Sequence, residues 1–433
     1  MLGESASSPL EKSTLAKVSA RILPFVFLLY IVAFLDRVNI GYAALDMNRD
    51  LGLGPEQFGF LSGIFFAGYF LFEVPSNILL HRFGARRWIA RILVSWGAVV
   101  MAMACVTGAS HVAWLRFLLG VAEAGFFPGI ILYITYWFPA RAQARAVALF
   151  MTALTVSNVL GAPLSTWIMD NVRWLGFPGW RWLFVLEGVP AVLLGAAAWF
   201  YMTDRPAQAA WLSAEQRLWL EAELDAERAG KLGGKTTGLW GVLCNRRVLA
   251  LSLIYFGQSV AMYGIVFWLP QLIRQLDGAL SNAQIGLAAM IPYGVSAAAM
   301  VWWSRRSDRS GERRLHAAVS AGAAAVGFAA CQFCHHPAAG LAALTVAACG
   351  VFSFYGPFWT LPPRFLDGEA AAVGIAAVNS IGNLGGFAGP FAIGWAAQAF
   401  GSIEVGLLFP AALMLLNVFL LLRLREISST SNP

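Results

Sequence analysis

The residues of this chain best suited to chemistry are charges set where charge is costly. The stretch IVAFLDRVNIGYA, residues 31–43, holds Asp36 beside Arg37 in an otherwise apolar run. Further on, RFLLGVAEAGFFPGIILYITYWFP carries Arg116 and Glu123 seven positions apart. On a helix that spacing puts both on one face, about two turns apart. Ionisable groups inside a bilayer are rare and mark ion or substrate paths. Helices that face one another would gather these two acids and two arginines into one pocket, where they neutralise each other. Such a cluster can be a plain set of ion pairs that pins helices together. It can also be bistable: burial and a neighbouring arginine together set whether a carboxylate holds its proton, and an anion on the arginine shifts that balance. The second reading couples anion binding to proton binding, and we favour it.

That use requires helices that cross a membrane, and the composition supplies them. Of 433 residues 59% are hydrophobic and 12% charged, whereas a soluble domain carries roughly 25% charged residues. Seventeen Trp and thirty-one Phe suit a lipid-facing surface with aromatic belts at its edges. The net charge of +7 lies in short basic clusters between apolar runs, which bears on orientation and gives no sign of a nucleic-acid partner. Runs long enough to span, roughly 20 residues each, fall near 21–43, 57–80, 88–107, 111–138, 146–170 and 181–202. A second set falls near 247–275, 283–304, 315–334, 339–361, 370–398 and 403–424.

Lys12, Lys17 and Arg21 precede the first run, and basic clusters recur in alternate loops as HRFGARR, RAQAR, NRR and RRSDRSGERR. The positive-inside rule then puts both termini in the cytoplasm. Residues 1–20 read as a cytoplasmic tail, 21–202 as a first bundle, 203–246 as a polar central loop, 247–425 as a second bundle and 426–433 as a tail. Within the loop, SAEQRLWLEAELDAER has a capping residue, Ser213, and helical spacing.

The two bundles echo each other. HRFGARRW follows the second run and DRSGERRL the eighth, while SNVLGAPLS in the fifth resembles GNLGGFAGP in the eleventh. The expected fold is an all-α membrane protein of twelve transmembrane helices in two pseudo-symmetric six-helix bundles, the plan of the major facilitator superfamily. Its loop motif assigns gating contacts to Arg82, Gly84 and Arg86 in the first copy and to Asp308, Arg309 and Gly311 in the second. The first copy departs from that pattern, with His81 where an acid is usual.

FLDRVNIG, together with the spacing of Gly120, Glu123, Gly125 and Pro128, resembles the anion:cation symporter family of that superfamily. FEVPSN, LEGVPAVLLG and AAVNSIGNLGGFAGP extend the likeness over nearly the whole chain. The resemblance implies proton-coupled uptake of a small organic carboxylate such as tartrate, or a related hydroxy or aromatic acid, across a bacterial inner membrane. It implies Asp36 and Glu123 as the protonated carboxylates. Arg37 and Arg116 would be their partners, one of them also meeting the substrate carboxylate. Protons serve as the coupling ion, no other cofactor or metal is expected, and a monomer suffices.

Around those charges, Tyr69, Gln258, Tyr263, Phe358, Trp359, Asn379 and Asn383 are candidates to line the substrate pocket. Asn379 and Asn383 lie one helical turn apart and on one face. Interhelical hydrogen bonds account for such polar groups equally well. Glu73 is expected to pair with a loop arginine, and Glu187 to make a structural pairing. The motif CQFCH, residues 331–335, has the spacing for haem attachment. The next apolar run starts too soon to leave room for a haem domain, so chance explains it better. The five cysteines, odd in number and mostly in apolar runs, suggest no disulfide framework. Two rivals stay in view. An organophosphate or phosphate antiporter would want a second arginine in the seventh run, where only Gln258 and tyrosines stand. A drug-efflux antiporter fits an arginine-rich cavity poorly.

Overall fold

The structure, a computed structural model, describes residues 8–231, 245–334, 336–362 and 368–424. Among these residues, eleven helices are long and apolar enough to cross a membrane. The one remaining span, eleventh in chain order, is a helix pair, Gly368–Asn383 and Gly385–Phe400, interrupted at Leu384. The all-α fold with twelve spans is as expected, with differences at the ends.

The first span lies in the helix Pro9–Leu51, which begins within the stretch read as a cytoplasmic tail. Ser8 explains the start: its side chain accepts a hydrogen bond from Glu11 N at 3.1 Å, and Pro9 sits at the first helical position, where a missing N–H costs nothing. In the central loop, Ser213 Oγ accepts from Gln216 N and Gln216 Oε1 accepts from Ser213 N, a capping box that begins the helix Ala214–Lys231. Arg141, at the start of the fifth span Ala140–Asn171, holds Glu11 and Glu223 at 3.0 and 2.5 Å, tying that helix to the first lobe.

Which spans are central follows from burial. Residues 36–45 of the first span and 257–270 of the seventh, Arg246–Leu276, are buried on every face. A helix apolar all round belongs inside a bundle. The second span is Pro55–Phe83 and the third Ala85–Ala102. The fourth is Ala109–Glu123 continued by Phe126–Thr135, and the sixth Gly179–Tyr201. Outer faces of these carry exposed apolar side chains such as Val74, Trp114 and Phe200, as a lipid-facing surface should.

The two lobes hold each other mainly at the end away from the chain termini. There Asn282 Nδ2 donates to Asp46 Oδ2 at 2.9 Å and Ala283 N to Asp170 Oδ2 at 2.8 Å, from the start of the eighth span, Asn282–Ser310. Phe58 packs edge-on against Trp268 nearby, with ring centroids 5.0 Å apart. Towards the other end, Glu73 Oε2 accepts from Ser380 Oγ at 3.4 Å, joining the second span to the eleventh. Glu73 was expected to meet a loop arginine. It lies in the interior, 6% exposed, and its partner is a hydroxyl of the opposite lobe.

Within the first lobe, the second and fourth spans meet backbone to backbone. A Cβ on Gly120 would stand 2.0 Å from the Phe65 carbonyl oxygen, and one on Gly68 2.3 Å from that of Phe117. Small residues let membrane helices approach this closely, where apolar burial gives no net drive between them. Gly120→Val therefore forces the pair apart, at a cost of about 1–3 kcal/mol by analogy with overpacked cores. Its melting temperature in detergent should fall by several degrees. Gly322→Ala, whose Cβ would meet nothing nearer than 3.8 Å, should leave the melting temperature unchanged. Equal melting for both variants would contradict the close packing.

Candidate functional site

The fourth span breaks at the point where Glu123 is needed. Ala124 is extended and Gly125 takes φ +83°, so one helical segment ends at Glu123 and another begins at Phe126. Gly125 is required twice over: positive φ disfavours any side chain, and its Cβ would stand 2.4 Å from Ser76 Oγ. Pro128 follows in the first turn of the new segment, where its missing N–H has no helical partner to lose. Glu123 thus leaves the helix axis at mid-span, 1% exposed.

Its partner is Arg37. Arg37 Nη2 donates to Glu123 Oε1 in a buried ion pair. Arg37 Nη1 donates to Tyr263 Oη at 3.4 Å, so the guanidinium joins the first and fourth spans of one lobe to the seventh span of the other. Its flat face lies over Phe65 and Tyr69, 5.3 and 5.5 Å from the ring centroids. Phe66 packs on Tyr263 at 4.4 Å. Arg37 is 8% exposed, so this conformation closes the pair off from water.

Arg116 and Asp36 do not join that pair. Arg116 Nη2 donates to the Ser62 carbonyl at 3.2 Å and Nη1 to that of Arg37 at 3.5 Å, with its plane over Phe65 and Phe267. Its fork is spent on backbone of the second and first spans. Asp36 is one residue from Arg37 and so turns about 100° around the helix. It faces the third span, where Trp96 Nε1 donates to Asp36 Oδ2 at 2.7 Å. In the sixth span Glu187 Oε1 accepts from Ser165 Oγ at 2.6 Å. The expected single cluster of four charges is therefore three separate arrangements: the Arg37–Glu123 pair, Arg116 on carbonyls, and Asp36 on an indole.

The neutral candidates also divide. Tyr69 and Tyr263 touch Arg37. Gln258 does not: its Nε2 donates to the Val351 carbonyl at 2.7 Å, a bond inside the second lobe, and it is fully buried. Phe358 stacks on Tyr255 with centroids 5.5 Å apart and Trp359 meets the same ring edge-on at 4.8 Å, both from a short helix Tyr355–Trp359 that ends the tenth span. Asn379 and Asn383 sit half-buried in the eleventh span, one turn apart, and have no side-chain partner among the described residues. They flank Ser380, which meets Glu73.

The loop motifs are built differently in the two lobes. In the first copy Gly84 takes φ +85°, and the Asp204 carboxylate lies where its Cβ would point. Arg86 N donates to Asp204 Oδ1 at 2.8 Å, and Arg82 lies over Phe83. The missing acid at His81 is thus supplied from the loop after the sixth span. In the second copy Asp308 pairs with Arg313 and Gly311 takes φ +70°, while Arg309 lies exposed. Of CQFCH, Cys331 Sγ donates to the Gly327 carbonyl at 3.3 Å; His335 lies outside the described residues. Sequence reasoning missed Trp96, Ser62 and Asp204. A tryptophan in an apolar run or an acid in a distant loop carries no local signal of its partner.

The profile of the Major Facilitator Superfamily matches residues 26–390 and 280–433. An Agrobacterium vitis protein named "Putative tartrate transporter" is 49% identical over 416 residues, covering 96% of this chain and 95% of its own. The Quinolone resistance transporter of Acinetobacter baumannii is 40% identical over 410 residues, covering 95% and 94%. Among solved structures, the xylose transporter XylE from E. coli, in a partially occluded inward open conformation, superposes with a TM-score of 0.75 over 96% of this chain and 100% of that one, at 16% identity. The chain is a multi-pass membrane transport protein, not an enzyme. It belongs to the Major Facilitator Superfamily, and within it to the anion:cation symporter type that its first-span and fourth-span motifs resemble.

Proposed function

We propose that this protein takes up a small organic carboxylate together with protons across a bacterial inner membrane, its two lobes rocking about a site between them. Both termini face the cytoplasm in this reading, residues 21–202 and 247–425 are the rocking units, and one copy suffices. The observation that carries it is the buried Arg37–Glu123 pair, which also reaches Tyr263 across the lobe interface. A guanidinium held by one carboxylate can exchange it for another, and its planar fork suits that group. When a substrate carboxylate takes Arg37, Glu123 loses its counter-charge in a dry place. An unpaired charge there is costly, and taking up a proton removes it. Anion and proton then enter together.

Tyr69 and Tyr263 border the arginine, and the unpartnered amides of Asn379 and Asn383 suit hydroxyl groups on the carried acid. The Agrobacterium vitis relative's name makes tartrate, a hydroxylated dicarboxylate, the first substrate to try. A second reading, efflux, has support from the Acinetobacter baumannii relative. Quinolone drugs also bear a carboxylate, so both readings use Arg37 and differ in the direction of net flux. An organophosphate exchanger has less support, because Gln258 donates within its own lobe and the seventh span carries no arginine beside Tyr263.

In proteoliposomes with an acidic exterior, labelled tartrate should accumulate, and a protonophore should abolish the accumulation. Net export of the label driven by the same gradient would favour the efflux reading. Glu123→Gln should lose gradient-driven accumulation at least about tenfold while exchange of external for internal substrate continues. Accumulation at the wild-type level would remove Glu123 from proton coupling. Arg37→Lys keeps the charge and loses the fork; its dissociation constant for the acid should rise about tenfold, and an unchanged constant would count against Arg37 as the carboxylate's seat.

A further inference from the structure

The eighth span ends in a basic groove apart from the Arg37–Glu123 pair. Its outer face runs through Val295, Ala298 and Trp302, all exposed, and then through Arg305, Arg306 and Arg309. These positions recur every three or four residues, so they form one stripe. Between that stripe and the start of the ninth span, Arg314–Ala330, lies a groove of about 970 Å³ with His316 on its far wall.

Two features point to an anion with an apolar body. The three arginines are exposed and make no ion pair among the described residues: of the loop's two acids, Asp308 pairs with Arg313 and Glu312 Oε1 accepts from Leu315 N at 3.0 Å. In the matching loop of the first lobe, Asp204 supplies the carboxylate. Here nothing of the described chain does so. The floor beneath the arginines is apolar, formed by Ala297, Ala298 and Val301, and the groove is open, with Val301 and Trp302 exposed along it. Trp302, 60% exposed, stands where apolar stripe meets basic end, the position indole rings take at a membrane interface. From Ala298 to Arg309 the stripe runs about 16 Å along the axis, from acyl-chain depth to headgroup depth.

We propose that this groove is a binding site for an anionic glycerophospholipid, its phosphate held by Arg305, Arg306 and Arg309 and its acyl chains lying along Ala298 and Val301. Arginine forks match phosphate oxygens, and basic pockets at the membrane boundary hold such headgroups. A free phosphate would use the arginines and leave the apolar floor bare, so the floor favours the lipid.

The test uses the purified full chain in neutral detergent, with its melting temperature followed as phosphatidylglycerol, phosphatidylcholine or inorganic phosphate is added. Phosphatidylglycerol should raise the melting temperature by several degrees and the other two should not. The triple variant R305Q/R306Q/R309Q should need about tenfold more phosphatidylglycerol for the same rise. Should that variant fail to fold, Ala298→Trp fills the groove while keeping every arginine, and should weaken the lipid similarly. Equal stabilisation by phosphatidylcholine, an undiminished response in the folded variants, or a full response to inorganic phosphate would each overturn the proposal.

Discussion

A single buried ion pair, Arg37 with Glu123, organises the centre of this molecule. Taking two such charges out of water costs several kcal/mol per ion, and their attraction repays it only in good geometry. The surroundings provide that geometry. The break after Glu123 turns its carboxylate off the helix, the close contact of Gly68 and Gly120 brings the second and fourth spans together, and the rings of Phe65 and Tyr69 lie against the guanidinium. Arg116 then ties the backbone of the first two spans to the fourth. Each device sits within the first lobe, which therefore assembles the charges on its own.

The second lobe answers with neutral groups. It brings Tyr263 to Arg37, and elsewhere aromatic rings and amides: the cluster of Tyr255, Phe358 and Trp359, and the half-buried Asn379 and Asn383. This division has a physical sense. In the proposed cycle the contacts between lobes are made and broken, and weak interactions serve that better than ion pairs. Tyr263 meets Arg37 at 3.4 Å and Ser380 meets Glu73 at 3.4 Å, both long for hydrogen bonds to charged or hydroxyl groups.

Much of this was legible in the sequence, and the remainder fails for definite reasons. Apolar runs gave the spans, because a bilayer requires about 20 such residues each, and Ser213 marked the surface helix through its capping box. The helix that holds the first span begins before its apolar run, because Ser8 and Pro9 start a helix among polar residues and hydropathy is blind to caps. Arg37 and Glu123 were found from their cost in lipid, and their pairing fitted that reasoning. The orientation of Asp36 and Arg116 was not. Periodicity says which residues share a face of one helix, and says nothing of how that helix is rotated against its neighbours. Asp36 needed Trp96 and Arg116 needed two backbone carbonyls, none of which carries a charge to announce itself.

Adjacent placement of Asp36 and Arg37 on one rigid helix has a mechanical result. One side chain is anchored to the indole of Trp96 and the other to a carboxylate and a phenol, in directions about a quarter-turn apart. Neither anchor can be shifted by twisting the helix without straining the other. A rotation of the first span that moved the guanidinium would move the carboxylate at the indole as well, since one helix carries both.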